Sequence, residues 1–269
     1  MYVLEPLWNL IVETPLLRSA AFHLIATTLE TYLLYLVFMP LDLGWFKADR
    51  LKAPLKSDNS IQAYKNAWAM SLKNTIYLFS VMGIVIYALT GDLHGGYTIQ
   101  GIPASQWPSI PPTVFQFVWQ VLIIVLCMDF LMYWIHRAFH WGPLYKHFHS
   151  VHHAFHETIS VHAMCVHPVE LFSIVPMLFI APRVAYELFG LHPLSVYCAP
   201  YFMALHGILE HCGYDDYLET LTLGLMTGSK MHMVHHQASS KNYGFYGYFW
   251  DWLFGSKMTY EEMVSKIKE

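Results

Sequence analysis

Five apolar stretches limit what this chain can fold into. About Ala21–Leu43, Leu72–Thr90 and Thr113–Ile135 are each long enough, as helices, to cross roughly 30 Å of hydrocarbon. Val169–Phe189 and Leu194–Cys212 are also apolar but carry Pro176, Pro182 and Pro200, and the short Gly190–Pro193 connection between them predicts a helical hairpin that enters the bilayer and returns. Only 13% of residues are charged against 55% hydrophobic, where a soluble domain carries roughly 25% charged residues. The expectation is an all-α integral membrane protein with about three spanning helices plus the hairpin. It divides into an N-terminal membrane region, residues 1–135, and a histidine-motif region, residues 136–269, that includes the membrane hairpin 169–212, all within one structural domain.

Basic residues orient such a chain. The Leu43–Leu72 connection holds Lys47, Arg50, Lys52, Lys56 and Lys65, with Lys73 at its edge, whereas Gly91–Pro112 holds none. With the first connection in the cytosol, His136–Pro168 returns there and the hairpin delivers Gly213–Glu269 to the same side. Of the 15 basic residues only Arg18 and Arg183 then lie elsewhere. A net charge of −4 without a basic stripe excludes nucleic acid as a partner. Cys127, Cys165, Cys198 and Cys212 stand in apolar surroundings without CxxC spacing, which suits reduced, buried thiols. The first fifteen residues carry Glu5 and Glu13 but no Lys or Arg, so no cleavable signal peptide is expected.

The chain has 17 histidines, and fifteen of them fall between positions 136 and 236. His136 and His140 form HxxxH; His149, His152 and His153 form HxxHH; His206 and His211 form HxxxxH; His232, His235 and His236 form a second HxxHH. Residues three and four apart share a helix face, so HxxxH presents two imidazoles together and HxxHH presents enough to bridge two ions. At this histidine frequency roughly 0.07 HxxHH matches are expected by chance, and the chain has two. Eight histidines in three tight motifs exceed what one metal can use, which points to a dimetal site in a cytosolic helical cap. His23, His94 and His192 read as hydrogen-bonded structural residues, His147 and His156 as lying off the ligand face. His167, in His167-Pro168-Val169-Glu170, is a candidate ligand or supporting residue.

Imidazole suits zinc, iron, copper and nickel alike. Structural zinc wants four ligands in a closed site, and eight to ten histidines overshoot that. A cluster at one membrane face beside apolar helices suits a lipid substrate. Breaking an unactivated C–H bond in a lipid calls for oxygen activated by a redox metal, and iron is the economical choice.

The segment from Asp129 through His136, His140, Tyr145, His149, His152 and His153 to His167-Pro168-Val169-Glu170 resembles the fatty acid hydroxylase/sterol desaturase superfamily of membrane di-iron enzymes. So do His211-Cys212-Gly213-Tyr214, His232-Met233-Val234-His235-His236, Asn242-Tyr243-Gly244 and Trp250-Asp251. Within it the chain is most similar to sterol oxidases such as C4-methyl sterol monooxygenases and cholesterol side-chain hydroxylases. HCGY and HHQ sequences also occur in relatives that hydroxylate sphingoid bases. The resemblance implies two iron ions held by a cytosol-facing histidine cluster and O2-dependent hydroxylation or desaturation of a bilayer lipid. It further implies electrons from NAD(P)H through an external reductase or cytochrome b5, and residence in the endoplasmic reticulum if the source is eukaryotic. No HPGG haem-binding sequence occurs in the chain, so the electron-transfer protein is expected to be separate.

Groups around the ligands should fix the imidazole tautomers. Asp129 lies two helical turns before His136, Glu170 follows the HPVE proline, and Asp251 follows Trp250 near the last motif; these three are the candidates. Asn242-Tyr243-Gly244 reads as a turn that closes the site, and the aromatic run Tyr243–Phe254 as an interfacial helix. Two rival classes make different predictions. A histidine-rich membrane zinc protein, carrier or hydrolase, needs neither O2 nor reductant, and a non-catalytic lipid-binding protein tolerates loss of the HxxHH histidines.

Overall fold

The computed structural model describes residues 3–45, 50–51, 53, 55–58, 60–90, 98–99, 102–103, 106–214, 218–222 and 226–268. His94, Lys47 and Lys52 therefore lie outside the described residues. Among the described residues eleven α-helices follow one another: α1 (Glu5–Glu13), α2 (Ala20–Asp42), α3 (Ile61–Thr90), α4 (Val114–Phe139), α5 (Gly142–His147), α6 (Pro168–Phe189), α7 (Pro193–His211), α8 (Leu218–Leu221), α9 (Ser229–Gln237), α10 (Phe249–Leu253) and α11 (Tyr260–Lys268). Among the described residues the one sheet is a two-residue antiparallel pair, Thr98–Ile99 with Ile102–Pro103.

Local chemistry sets the helix ends. Ser19 caps α2 by accepting from Phe22 N, and Thr113 with Gln116 forms a capping box at the start of α4. The hairpin forms as expected: His167 caps α6, Gly190 ends it at φ 61°, and Pro193 opens α7 behind the cap of His192. The apolar stretch 72–90 is the second half of the longer α3, because Gln62, Ala63, Lys65, Ala67 and Met70 are good helix formers that extend the helix toward the N-terminus.

Among the described residues, α2 and α4 are long and apolar enough to cross a membrane. Each shows an exposed apolar stripe at helical spacing, Leu29, Leu33, Leu36 and Val37 on α2 and Phe115, Val118, Leu122, Leu126 and Phe130 on α4. Such stripes are unfavourable in water and at home in hydrocarbon. Opposite its stripe, α4 buries Ile124, Met128, Asp129, Tyr133 and His136. By contrast α7 is interior: it packs against α2, α4, α6 and α9 and buries Leu194, Val196, Ala199, His206, Ile208, Glu210 and His211.

Two apolar cores flank α7. One joins Trp8 and Ile11 of α1 to Ile124 and Met128 of α4 and Leu194 of α7. The other joins Tyr35, Ala67, Val161, Cys165 and Ile208 from α2, α3, the turn Ser160–Met164 and α7. Polar clamps fix that turn: Asp42 accepts from Ser160 N and Oγ at 2.8 and 2.5 Å, and Asn74 Nδ2 donates to the Met164 and Val166 carbonyls at 2.8 Å. The histidine-bearing loop before it is thereby held against the ends of the long helices.

Candidate metal centre

Nine histidines converge in two groups. His136, His140, His149, His153 and His235 form the first, and His152, His211, His232 and His236 the second; within each group the ligand atoms lie within 4.8 Å of one another. In the first, Nε2–Nε2 separations are 3.1 Å for His136–His149 and His149–His153, 2.9 Å for His153–His235 and 3.2 Å for His140–His235. In the second they are 3.4 Å for His152–His211 and 2.9 Å for His211–His232 and His232–His236. Nitrogens bound at ~2.1 Å to one ion stand roughly 3.0–3.4 Å apart, so the spacing is that of a coordination shell.

For four of the rings a backbone carbonyl fixes the tautomer, and it is the one that leaves Nε2 unable to donate to a neighbouring ring. His136 Nδ1 faces the Tyr243 carbonyl at 3.0 Å, His152 Nδ1 that of Cys165 at 3.3 Å, His211 Nδ1 that of Gly207 at 2.7 Å and His235 Nδ1 that of Lys241 at 2.6 Å. A carbonyl only accepts, so each Nδ1 carries the proton and each Nε2 is left as a lone pair. Opposed lone pairs, as between His152 and His211, repel unless a cation lies between them. Burial first, and the neighbouring imidazoles second, push His153 down to about 3 and His140 to about 2, and hold His149, His152, His232, His235 and His236 well below the usual histidine range. The rings are neutral at physiological pH, as ligation requires.

Each HxxHH is divided between the groups. His149 and His153 (i, i+4) serve the first and His152 the second; His232 and His236 serve the second and His235 the first. His206 is brought to neither. Its Nε2 donates to the Phe245 carbonyl at 2.8 Å and its ring packs against Phe245 and Tyr246. The expectation that it ligates therefore finds a different arrangement: it stands five residues, more than a helical turn, before His211. His167 also lies outside both groups, its Nδ1 accepting from Val169 N at 3.1 Å to cap α6. His192 caps α7, His23 pairs with the Tyr201 hydroxyl at 3.3 Å, His156 Nδ1 meets the His236 carbonyl at 3.4 Å, and His147 is exposed.

The three carboxylates expected to support the ligands take different positions. Glu170 Oε1 lies 2.8 Å from His149 Nδ1, close to the ring but not in line for a hydrogen bond. Asp129 accepts from Phe245 N and Tyr246 N, both at 2.8 Å, and Asp251 from Tyr243 N and Gly244 N at 2.8 Å and Ser256 Oγ at 2.7 Å. These two act through the turn at 242–246, whose carbonyls receive His136 and His206. Asn242 adopts φ 55° in that turn, and a Cβ on Gly244 would stand 2.5 Å from the Gly247 carbonyl oxygen and 2.9 Å from Asp251 Oδ2. Sequence reasoning passed over Glu210. Its side chain is fully buried, with Oε1 3.8 Å from His206 Nε2 and Oε2 4.0 Å from His232 Nδ1. The signal was present: an acid inside an apolar stretch beside a candidate ligand.

A cavity of about 200 Å³ opens between α2, α3, α4, α6 and α7 and reaches both groups, touching His136, His149, His152, His211 and His232. Met132, Ile135, Leu171, Ile174, Met203 and Ala204 give it an apolar wall.

Comparison with known proteins places this arrangement. Residues 121–256, just over half the chain, match the family model described as fatty acid hydroxylase, a stretch that contains both histidine groups and all four carboxylates. The chain is 26% identical to the C-4 methylsterol oxidase of Schizosaccharomyces pombe over 161 residues (59% of this chain, 54% of that protein). It is 32% identical to a very-long-chain aldehyde decarbonylase of Oryza sativa subsp. indica over 163 residues (59% and 57%). With a cholesterol 25-hydroxylase-like protein of Danio rerio it shares 28% identity over 265 residues (95% and 98%). The chain thus spans little more than half the length of the first two relatives. No solved structure matches it. The chain belongs to the fatty acid hydroxylase family.

Proposed function

We propose that this protein is a membrane di-iron oxidoreductase that hydroxylates or desaturates a bilayer lipid, with a sterol as the favoured substrate and a sphingoid base or fatty-acyl lipid as the alternative. The observation that carries the reading is the apolar cavity between the long helices that ends on five histidines drawn from both groups. Iron bound there supplies the redox activation of O2 that an unactivated C–H bond demands. The protein's own residues do the rest. Nine imidazoles offer ring nitrogens; the Tyr243, Lys241, Cys165 and Gly207 carbonyls keep the Nδ1 protons of His136, His235, His152 and His211 in place, and the walls of α4, α6 and α7 exclude water from the reacting carbon. The reading includes a separate reductase or cytochrome b5 passing electrons from NAD(P)H. It also places the histidine face toward the cytosol, in the endoplasmic reticulum if the source is eukaryotic, in keeping with the bias of the basic residues.

The test is lipid mass spectrometry in a sterol-auxotrophic host expressing the wild type or the His152→Ala, His153→Ala double variant, with metal content measured on the purified proteins. An oxidised sterol present only with the wild type and dependent on O2 is the expected result, and it names the carbon. A changed sphingoid or acyl lipid would move the substrate to the alternative. No O2-dependent change in any lipid would overturn the reading.

A further inference from the structure

The cavity has a second kind of wall. Facing the apolar side chains of α4, α6 and α7 stand hydroxyl-bearing residues of α2 and α3, namely Thr27, Thr28, Thr31, Tyr32, Tyr35 and Thr75. On α2, Thr27, Thr31 and Tyr35 follow one another at i, i+4 and i+8, a single helix face. Most of these hydroxyls have work within the fold. Thr27 Oγ1 donates to the His23 carbonyl at 2.7 Å and Thr31 Oγ1 to that of Thr27 at 2.8 Å. The Tyr32 hydroxyl pairs with Thr75 Oγ1 at 3.0 Å and Ser71 Oγ at 3.4 Å, and Thr75 Oγ1 also donates to the Ser71 carbonyl at 3.0 Å.

Tyr35 differs. It is 0% exposed, it lines the cavity, and its hydroxyl makes no hydrogen bond among the described residues. Ser71 is the side chain that interacts with it, without forming a hydrogen bond of proper geometry. The ring cannot easily turn away to find another partner, because it meets Tyr32 edge-on at 5.6 Å and Trp68 at 5.6 Å. A buried phenol that makes no bond is disfavoured against phenylalanine. The fold therefore presents, on the hydroxyl-bearing wall of the cavity, a fixed phenol with its hydrogen-bonding capacity unspent.

We infer that Tyr35 is the residue by which the cavity selects a lipid alcohol over the corresponding hydrocarbon, its phenol bonding the hydroxyl of the bound lipid. The inference rests on the proposed lipid-oxidising function for its setting, but binding alone tests it. Purified protein in nanodiscs is titrated with two pairs of radiolabelled probes, cholesterol against cholest-5-ene and octadecan-1-ol against octadecane. The wild type should bind the alcohol of at least one pair about three- to tenfold more tightly than its hydrocarbon, the worth of one hydrogen bond. The pair that shows the preference distinguishes a sterol from a long-chain alcohol. Tyr35→Phe should bring that ratio to about one by weakening the alcohol alone, without lowering the melting temperature, since the deleted hydroxyl holds nothing in the fold. Tyr32→Phe removes a hydroxyl already engaged by Ser71 and Thr75 and should keep the ratio. Equal binding of alcohol and hydrocarbon by the wild type in both pairs would overturn the inference. So would a ratio unchanged in Tyr35→Phe, or one lost equally in Tyr32→Phe. Discrimination by Tyr35 without any oxidised lipid would instead leave the inference standing and count against the proposed function.

Discussion

In the first histidine group, His149 and His153 meet His235; in the second, His232 and His236 meet His152, so each HxxHH supplies its i, i+4 pair to one group and its i+3 residue to the other. The two groups share this exchange of parts but differ in how they are held. The second is buried at all four positions, and His211 lies on the interior helix α7. The first is partly open at His140, at the very end of α4, and it alone has a carboxylate within hydrogen-bond distance of a ring, Glu170 on His149. Its counterpart Glu210 stays 4.0 Å from His232. The fold thus secures one group by depth and sets a carboxyl group close beside the other. The exchange of i+3 residues means that neither group can be dismantled without touching a segment that serves the other.

The largest expected effects come from removing a ligand on either side of this division. On the proposed di-iron function, His235→Ala and His211→Ala should each lower bound metal from two equivalents per chain to about one and cut lipid turnover by more than about 100-fold, beyond the range of changes to supporting residues. Metal analysis of the purified variants decides. If either substitution emptied both groups, the groups would form one cooperative unit rather than two.

Next in size is the contrast between the carboxylates. Glu170→Gln keeps the shape but replaces the carboxyl group 2.8 Å from His149 Nδ1 by an amide, so metal affinity at the first group should fall about 10- to 100-fold. Glu210→Gln should cost the second group less, because Glu210 Oε2 stands farther from its ring, 4.0 Å from His232 Nδ1. Competition with a chelator, read as two release phases, measures both. Equal losses would show that distance to the ring does not set the dependence.

A smaller effect follows from pH. In an unfolded chain the imidazoles titrate near 6.5, whereas in the fold burial, then the neighbouring histidines, put His153 at about 3 and His140 at about 2. Above pH 6.5 both states are neutral and pH matters little. Below it the unfolded chain takes up protons that the folded chain refuses, so stability falls as pH drops from about 6.5 toward 3. Protons compete with metal in the same direction. The melting temperature of the metal-free protein should decline steadily over that window, and the loaded protein should release metal there. A flat profile would show that the rings are hydrated.

What the sequence disclosed and what it withheld divide along physical lines. The spacing of His136 and His140 and of the two HxxHH motifs is a statement about helix faces, and periodicity carries it. The hairpin was equally legible, since Gly190 and Pro193 mark its turn by backbone chemistry that any sequence shows. The carbonyls of Tyr243, Lys241, Cys165 and Gly207, which set four tautomers, are backbone atoms and leave no trace in residue identity. The same blindness applies to Asp129 and Asp251. Their type suggested support for the ligands, but their action runs through the amides of residues 243–246: Asp251 reaches them where the chain folds back on α10, and Asp129 only when α4 and the C-terminal segment come together.

His206 is where that distinction can be tested most finely, with the smallest expected effect. By motif it belongs with His211, and a ligand lost there would behave like His235→Ala. In the fold its Nε2 donates to the Phe245 carbonyl, a residue that Asp129 also anchors through the amide. Glutamine can offer an amide N–H to the same carbonyl, so His206→Gln should retain both metal equivalents and lose no more than about 1 kcal/mol of stability, the net worth of one buried hydrogen bond. His206→Ala leaves that carbonyl without its donor and should cost about 1–3 kcal/mol while still retaining metal. The two variants therefore separate a ligand from a strut. Loss of one metal equivalent in His206→Gln would return the residue to the ligand set. Retention in both, with stability following the hydrogen bond, would leave nine histidines to bind two ions.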